Sequence, residues 1–228
     1  MTFLLDALGT LVTFDPPAPR LRALLAERHG IEVAEEEAAA AMRAEIALYR
    51  REHDRASDRA GLAELRRDCA AALRGALPER AHDIDVDELV PTLLDAIRFF
   101  AYPEAADVLD ALRARGHRLA VVSNWDVSLR DVLDATGLAE RVDAVVISAE
   151  LGFAKPSVEP FAAALEALGA EPSGAWHAGD TVEHDVAGAL AAGVRPVLVR
   201  REIVPPTPPA PPGVPTIPDL RGLLALAV

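Results

Sequence analysis

Residues 104–124 read EAADVLDALRARGHRLAVVSN. Two segments of different character meet at Gly116. Glu104 to Arg115 is an amphipathic stretch, and Gly116 is a natural helix stop. Leu119 to Val122 is a short uninterrupted apolar run, the form of a strand buried on both faces. The same unit recurs downstream. A helical stretch from Val127 to Ala135 ends at Gly137 and is followed by the run Ala144 to Ile147. Another, Val158 to Leu168, ends at Gly169 and precedes Ala175 to Ala178. A helix from about Asp185 to Ala192, stopped by Gly193, leads into the strand Pro196 to Val199. Phe3 to Leu5 supplies one more apolar run. Short apolar runs alternating with glycine-stopped helices predict βαβ units, a parallel sheet and an α/β fold.

Residues 16–98 have a different texture. Ala, Leu, Glu and Arg dominate, and β-branched runs are absent. Periodic stretches over roughly 18–30, 35–53, 60–76 and 86–98 predict a small helical bundle, with Pro91 among the residues at or near their ends. Inserted after the first strand, it is expected to be a separate unit (16–98) beside a sheet domain made of 1–15 and 99–228. Residues 205–218, PPTPPAPPGVPTIP, exclude regular helix and central strand and predict a stiff, extended surface connection to the last segment, Leu220 to Leu226.

Composition narrows the function. The chain has 228 residues, 51% hydrophobic and 26% charged, which suits one large globular domain or one domain with an insertion. A net charge of −13 disfavours nucleic acid and anionic membranes as partners. No segment offers the roughly 20 uncharged apolar residues of a membrane span. Met1 to Asp6 lacks a basic leader and is cut short by Asp6, so it reads as a strand and the protein as cytoplasmic. One cysteine, Cys69, excludes an intramolecular disulfide framework and any multi-cysteine zinc site. Among 23 basic residues Lys155 is the sole lysine, which suggests that a compact ammonium is needed there.

Ligands of open parallel sheets bind beyond the carboxyl ends of the strands. The first strand is followed by Asp6-Ala-Leu-Gly-Thr10-Leu, the second by Ser123-Asn124-Trp125-Asp126. The third is followed by Glu150-Leu-Gly-Phe-Ala-Lys155-Pro156, the fourth by Gly179-Asp180-Thr-Val-Glu-His-Asp185. Carboxylates, a hydroxyl, an amide and the sole lysine thus converge on one edge. Asp6 can be a nucleophile or a turn former. Ser123 and Asn124 can hold an anion or cap a helix. Lys155 can neutralise developing charge. Asp180 and Asp185 are hard oxygen ligands suited to Mg²⁺, and Asp185 can equally be a helix-entry carboxylate. His177 is expected to pack beside the sheet, and His184 to be solvated.

These four motifs, in this order, resemble those of the haloacid dehalogenase superfamily. The resemblance covers nearly the whole chain. It implies a Rossmann-like core with helices on both faces of the sheet, and a helical cap at 16–98. It also implies Asp6 as nucleophile, Ser123 with Asn124 holding the transferring group, and Lys155 steadying charge. Asp6, Asp180, Asp185 and the Leu8 carbonyl would hold Mg²⁺. Phosphatases of the superfamily usually carry a second Asp two residues after the nucleophile, as general acid and base; here Leu8 stands there. Its loss should slow hydrolysis of poor leaving groups by about 10²–10⁴-fold. The branch that hydrolyses 2-haloacids also lacks this Asp. A Mg²⁺-dependent phosphatase or phosphotransferase acting on a small phosphorylated metabolite, with weakened acid catalysis, is favoured, because three carboxylates without a cation would repel an anionic substrate. A 2-haloacid dehalogenase is the alternative, and a catalytically silent binding protein a further one. Asp126, His184 and His53 are candidates to replace the missing acid. Thr10, Asn124, Trp125 and Arg43 are the expected substrate contacts. Arg43 shares a helix face with Arg50; the competing reading pairs them with Glu45 and Glu52 on a solvated face. The chain is expected to be a monomer or homodimer.

Overall fold

The computed structural model describes residues 1–201 and 208–227. The chain divides into two compact units, Phe14–Phe99, and Met1–Thr13 with Phe100–Val228. The first is helical: α1 (Pro17–His29), α2 (Glu35–Glu52), α3 (Arg59–Ala76) and α4 (Val86–Ala96). Each helix buries an apolar stripe, led by Leu21 and Leu25, Ala41 and Met42, Leu65 and Leu73, and Leu89 and Leu93. Asp58 caps α3 by accepting from the Gly61 amide at 2.8 Å, and Asp85 caps α4 through the Asp87 amide at 2.7 Å. Pro91, expected near a helix end, lies inside α4. It removes one backbone bond, to the carbonyl four residues back, and the buried stripe of α4 offsets that loss. Glu45 is not on a solvated face. It is buried on α2 and bonded to Cys69 of α3, while Glu52 pairs with Arg51 at 2.8 Å.

The other unit is built on a sheet. Among the described residues the strands are β1 (Thr2–Leu5), β2 (Val12–Phe14), β3 (Phe99–Ala101), β4 (Arg118–Ser123), β5 (Ala144–Ile147), β6 (Ala175–Gly179), β7 (Arg195–Val199) and β8 (Thr216–Ile217). Six form one sheet in the order β5–β4–β1–β6–β7–β8, with every neighbouring pair parallel. The remaining helices are α5 (Ala105–Ala114), α6 (Leu129–Ala135), α7 (Ser148–Leu151), α8 (Glu159–Leu168), α9 (Ala187–Ala191) and α10 (Leu223–Leu226). Leu4, Ala120 and Val122 pack on Phe161, Ala164, Leu165 and Leu168 of α8. Strand alternation turns Phe3, Leu5, Leu119 and Val121, all buried, to the opposite face. This is the α/β fold with a parallel sheet that the apolar runs predict, and its Rossmann-like form is the one the family resemblance implies.

From β1 the chain steps outward to β4 and β5, then returns to β6 on the other side. The order reverses between β1 and β6, where such sheets open a crevice at their carboxyl ends. Leu5 lies level with Val121 and Ala178, so Asp6 and Asp180 emerge on either side of that crevice.

β2 and β3 pair with each other as a two-stranded sheet that the apolar pattern does not announce. Thr216–Ile217 is an edge strand against β7 within the proline-rich stretch, of which residues 205–207 lie outside the described residues. Instead of a helix starting near Asp185, a π-turn spans Val182–Val186 ahead of α9. Among the described residues no helix is long and apolar enough to cross a membrane.

Candidate active site

The loop after β1 is wound tightly around one carbonyl. Ala7 O accepts from the amides of Thr10, Leu11 and Val12 at 3.2, 2.8 and 2.9 Å. Gly9 takes φ = 86°, and a Cβ there would lie 2.3 Å from Asp180 Oδ2. Glycine is therefore needed twice over, for the left-handed backbone and for the approach of a carboxylate. Leu8 is 38% exposed.

Asp6 is buried, and its Oδ1 accepts from Ser123 Oγ at 3.0 Å and Lys155 Nζ at 2.7 Å. The same ammonium, itself buried, donates to Asp185 Oδ1 at 2.6 Å. His177 Nε2 lies 2.9 Å from that oxygen, which makes Nε2 the protonated nitrogen. Asp185 Oδ2 accepts from the Thr181 amide at 3.0 Å and from Thr181 Oγ1 at 2.5 Å. Four donors thus converge on Asp185. Its carboxylate folds back under the end of β6, and a Cβ on Gly179 would lie 2.2 Å from its Cγ. This local closure is what turns Val182–Val186 into a π-turn.

Asp6, Asp180 and Asp185 each place one oxygen within 4.8 Å of the others, a grouping able to hold a cation. Burial raises the pKa of Asp6 despite the attraction of Lys155. Burial pushes Asp180 up to about 7, helped by the charges of Asp6 and Asp185. Burial would raise Asp185 too, but Lys155 and the His177 bond outweigh it and hold its carboxyl far below the usual range. Burial alone would lower Lys155; Asp185 and Asp6 reverse that and keep it an ammonium. Asp6 and Asp180 are thus the two carboxyls of the cluster whose ionisation the surroundings oppose.

The remaining expected contacts divide. Asn124 is tied to the lysine segment: Nδ2 donates to Lys155 O at 2.8 Å, and Oδ1 accepts from Lys155 N at 2.7 Å. Both ends of the amide hold the lysine backbone in place. Trp125 is buried, with its amide on Ser148 Oγ at 3.1 Å. Thr10 is fully buried, and its hydroxyl has no hydrogen-bond partner among the described residues. Asp126 is buried and spends Oδ1 on the Ser128 amide at 2.6 Å. Arg43 is exposed on α2 of the helical unit, and His184 is half-buried rather than solvated. His177 does pack against the core, edge-on to Phe161 at 5.0 Å, but it also reaches Asp185.

Three participants are not evident from the motifs: His177, Thr181 and Arg201. Arg201 lies just past β7. It donates from Nε to Gly9 O at 3.2 Å and from Nη2 to Thr10 O at 2.8 Å. Nothing in the residue pattern separates it from the other arginines.

Residues 1–193 match the family described as haloacid dehalogenase-like hydrolase. The phosphoserine phosphatase of Thermus thermophilus is 39% identical over 132 residues, 58% of this chain and 51% of that protein. The chain spans about half the length of the curated relatives it matches. Among solved structures, a HAD phosphatase from Thermococcus onnurineus is 25% identical with a TM-score of 0.66, covering 99% of this chain and 96% of that one. The 2-haloacid dehalogenase from Pseudomonas syringae pv. Tomato DC3000 shares the fold at 24% identity, with a TM-score of 0.65 over 99% and 96% of the two chains.

Proposed function

Because the chain belongs to the haloacid dehalogenase-like hydrolase family, we propose that it is a Mg²⁺-dependent phosphatase that carries the phosphoryl group of a small metabolite on Asp6. The meeting of Asp6, Asp180 and Asp185, two of them bonded to the Lys155 ammonium, carries this reading. Fully ionised, the cluster has two negative charges more than Lys155 balances, and an anionic substrate adds more. A divalent cation removes that conflict, and the close seat of the Asp180 carboxylate against Gly9 suits such a site. Asp6, Asp180 and the Leu8 carbonyl would hold the ion, with Asp185 behind them because four donors already occupy it. Bound Mg²⁺ supplies charge neutralisation between the carboxylates and the transferring phosphoryl group.

The chain's own residues do the rest. An oxygen of Asp6 attacks phosphorus, and the ester oxygen leaves with the bonding pair. Ser123 and Lys155 hold the nucleophile and the oxygens of the group in flight. Water then cleaves the aspartyl phosphate, returning the Asp6 carboxylate and releasing phosphate. Leu8 can neither protonate the leaving oxygen nor activate that water, so both steps lack the usual carboxyl at that position. Acyl and aryl phosphates should accordingly react far faster than alkyl phosphates. The helical unit is proposed as the substrate-selecting cap, with Arg43 as a contact for a carboxylate or second phosphate.

Leu8 also favours a second reading. An oxygen of Asp6 would attack C2 of a 2-haloacid and form an ester, while the halide departs with the bonding pair and needs no proton. A panel of phosphate esters and 2-haloacids, assayed with Mg²⁺ and with a chelator, separates the two. Phosphate release abolished by chelation supports the first; chelator-resistant halide release replaces it with the second.

A further inference from the structure

The loop Ala7–Val12 must hold three things at once: the Asp6 carboxylate, the Leu8 carbonyl, and the Gly9 backbone against Asp180. Its amides close on Ala7 O and, from Gly9, on Val12 O at 2.8 Å. Those bonds set the curl of the loop but do not tie its tip to the rest of the sheet. The carbonyls of Gly9 and Thr10 face outward from the curl, and both are taken by the guanidinium of Arg201.

Arg201 is itself fixed from two further directions. Nη2 makes an ion pair with Glu104 Oε1 at 2.8 Å, with the two side chains only 11% and 5% exposed. Its Cζ stacks 3.3 Å from the ring centroid of Tyr102, whose amide donates to Leu11 O at 2.9 Å. Glu104 Oε1 also accepts from the Leu220 amide at 3.4 Å, which ties in the C-terminal segment. A planar fork can span two successive carbonyls, meet a carboxylate and lie on a ring; an ammonium cannot do all of these.

We propose that Arg201 is a positioning residue for the reaction. It fixes the Gly9–Thr10 peptides, and through them the neighbouring Leu8 carbonyl and the seat of Asp180, without touching the substrate. The catalytic consequence rests on the function proposed above; the anchoring of the loop does not.

Two variants test it. Arg201→Lys keeps a charge opposite Glu104 and so should fold, but it loses the fork. Arg201→Ala opens a space that guanidinium ion can enter. Hydrogen exchange should accelerate in the peptide holding residues 7–12 in both variants. Added guanidinium should slow it again in Arg201→Ala and leave Arg201→Lys unchanged. With p-nitrophenyl phosphate and saturating Mg²⁺, kcat should fall about tenfold to a hundredfold while KM stays within about twofold. Guanidinium should restore kcat in Arg201→Ala and not in Asp6→Asn. Wild-type exchange in residues 7–12 in Arg201→Lys overturns the proposal. So does a loss of activity that guanidinium leaves unrescued while the loop tightens. If the wild type turns over no phosphate ester, the phosphatase reading fails, and the exchange data alone decide whether Arg201 anchors the loop.

Discussion

Asp180→Asn isolates the electrostatic argument. Asp180 sits at about 7 against an ordinary 3.8 because it is buried beside Asp6 and Asp185. A pKa raised on folding favours the native state below the unfolded value, and that advantage is lost as pH rises through the folded value. In the ion-free protein, Asp180 should therefore weaken stability progressively between about pH 4 and pH 7. At about 1.36 kcal/mol per pKa unit, the gap from 3.8 to about 7 corresponds to about 4 kcal/mol. Part of it is shared with Asp6 and Asp185, so about 2–4 kcal/mol is expected on removing the charge. Asparagine keeps the shape and cannot ionise. With a chelator present, urea unfolding should show Asp180→Asn more stable than the wild type by that amount at pH 8, and equal to it near pH 4. Mg²⁺ should narrow that gap by stabilising the wild type alone, by about 2.7 kcal/mol at a hundredfold excess over Kd. Equal stability of the two proteins at pH 8 in chelator, or equal stabilisation by Mg²⁺, would refute the reasoning.

Further outcomes follow from the same contacts. Because Mg²⁺ must displace the Asp180 proton, its apparent affinity should drop about tenfold per pH unit below pH 7, measured by calorimetry. Lys155→Met strips the buried ammonium from Asp6 and Asp185 and should destabilise by about 3–5 kcal/mol at pH 7 in urea unfolding. Its deficit should shrink below pH 4, because Lys155 stabilises Asp185 only while that carboxyl is ionised. Gly179→Ala drives a methyl into Asp185 and should cost about 1–3 kcal/mol together with most of the activity. Leu8→Asp should raise alkyl phosphatase turnover by about 10²-fold or more, and a kinetic assay showing no gain would count against the role given to that position. Burial raises the pKa of Glu45, so it weakens the fold above its unfolded value of 4.5. Glu45→Gln should raise the melting temperature at pH 8 and lose that advantage as the pH falls to 4.5.

The parts that were legible in the sequence share a physical cause. β1, β4 and β7 are buried on both faces over most of their length, so each leaves a continuous apolar run, and the half-buried edge strand β5 keeps the same apolar character. Gly116, Gly137 and Gly169 mark helix ends because each takes a positive φ there. Asp6, Ser123, Lys155 and Asp180 could be placed because parallel strands deliver whatever follows them to one edge. What escaped has no periodicity. β2 and β3 are three residues each, and β8 is two residues in a proline-rich stretch. The π-turn depends on the reciprocal bonds of Thr181 and Asp185, which only the folded chain brings together. Asn124 sits where a ligand contact was expected, yet it clamps a backbone 31 residues away. Glu45 reads as a surface acid because burial of a carboxyl beside a cysteine leaves no pattern along a helix.

The central claim is that Asp6 becomes covalently phosphorylated. The direct test is to mix the protein with acetyl phosphate and Mg²⁺, quench in acid within the first turnover, digest, and weigh the peptides. The account predicts that the peptide holding Asp6 gains the mass of one phosphoryl group, that chelator abolishes the gain, and that Asp6→Asn never shows it. Phosphate release without any such adduct, or an adduct on another residue, would contradict it.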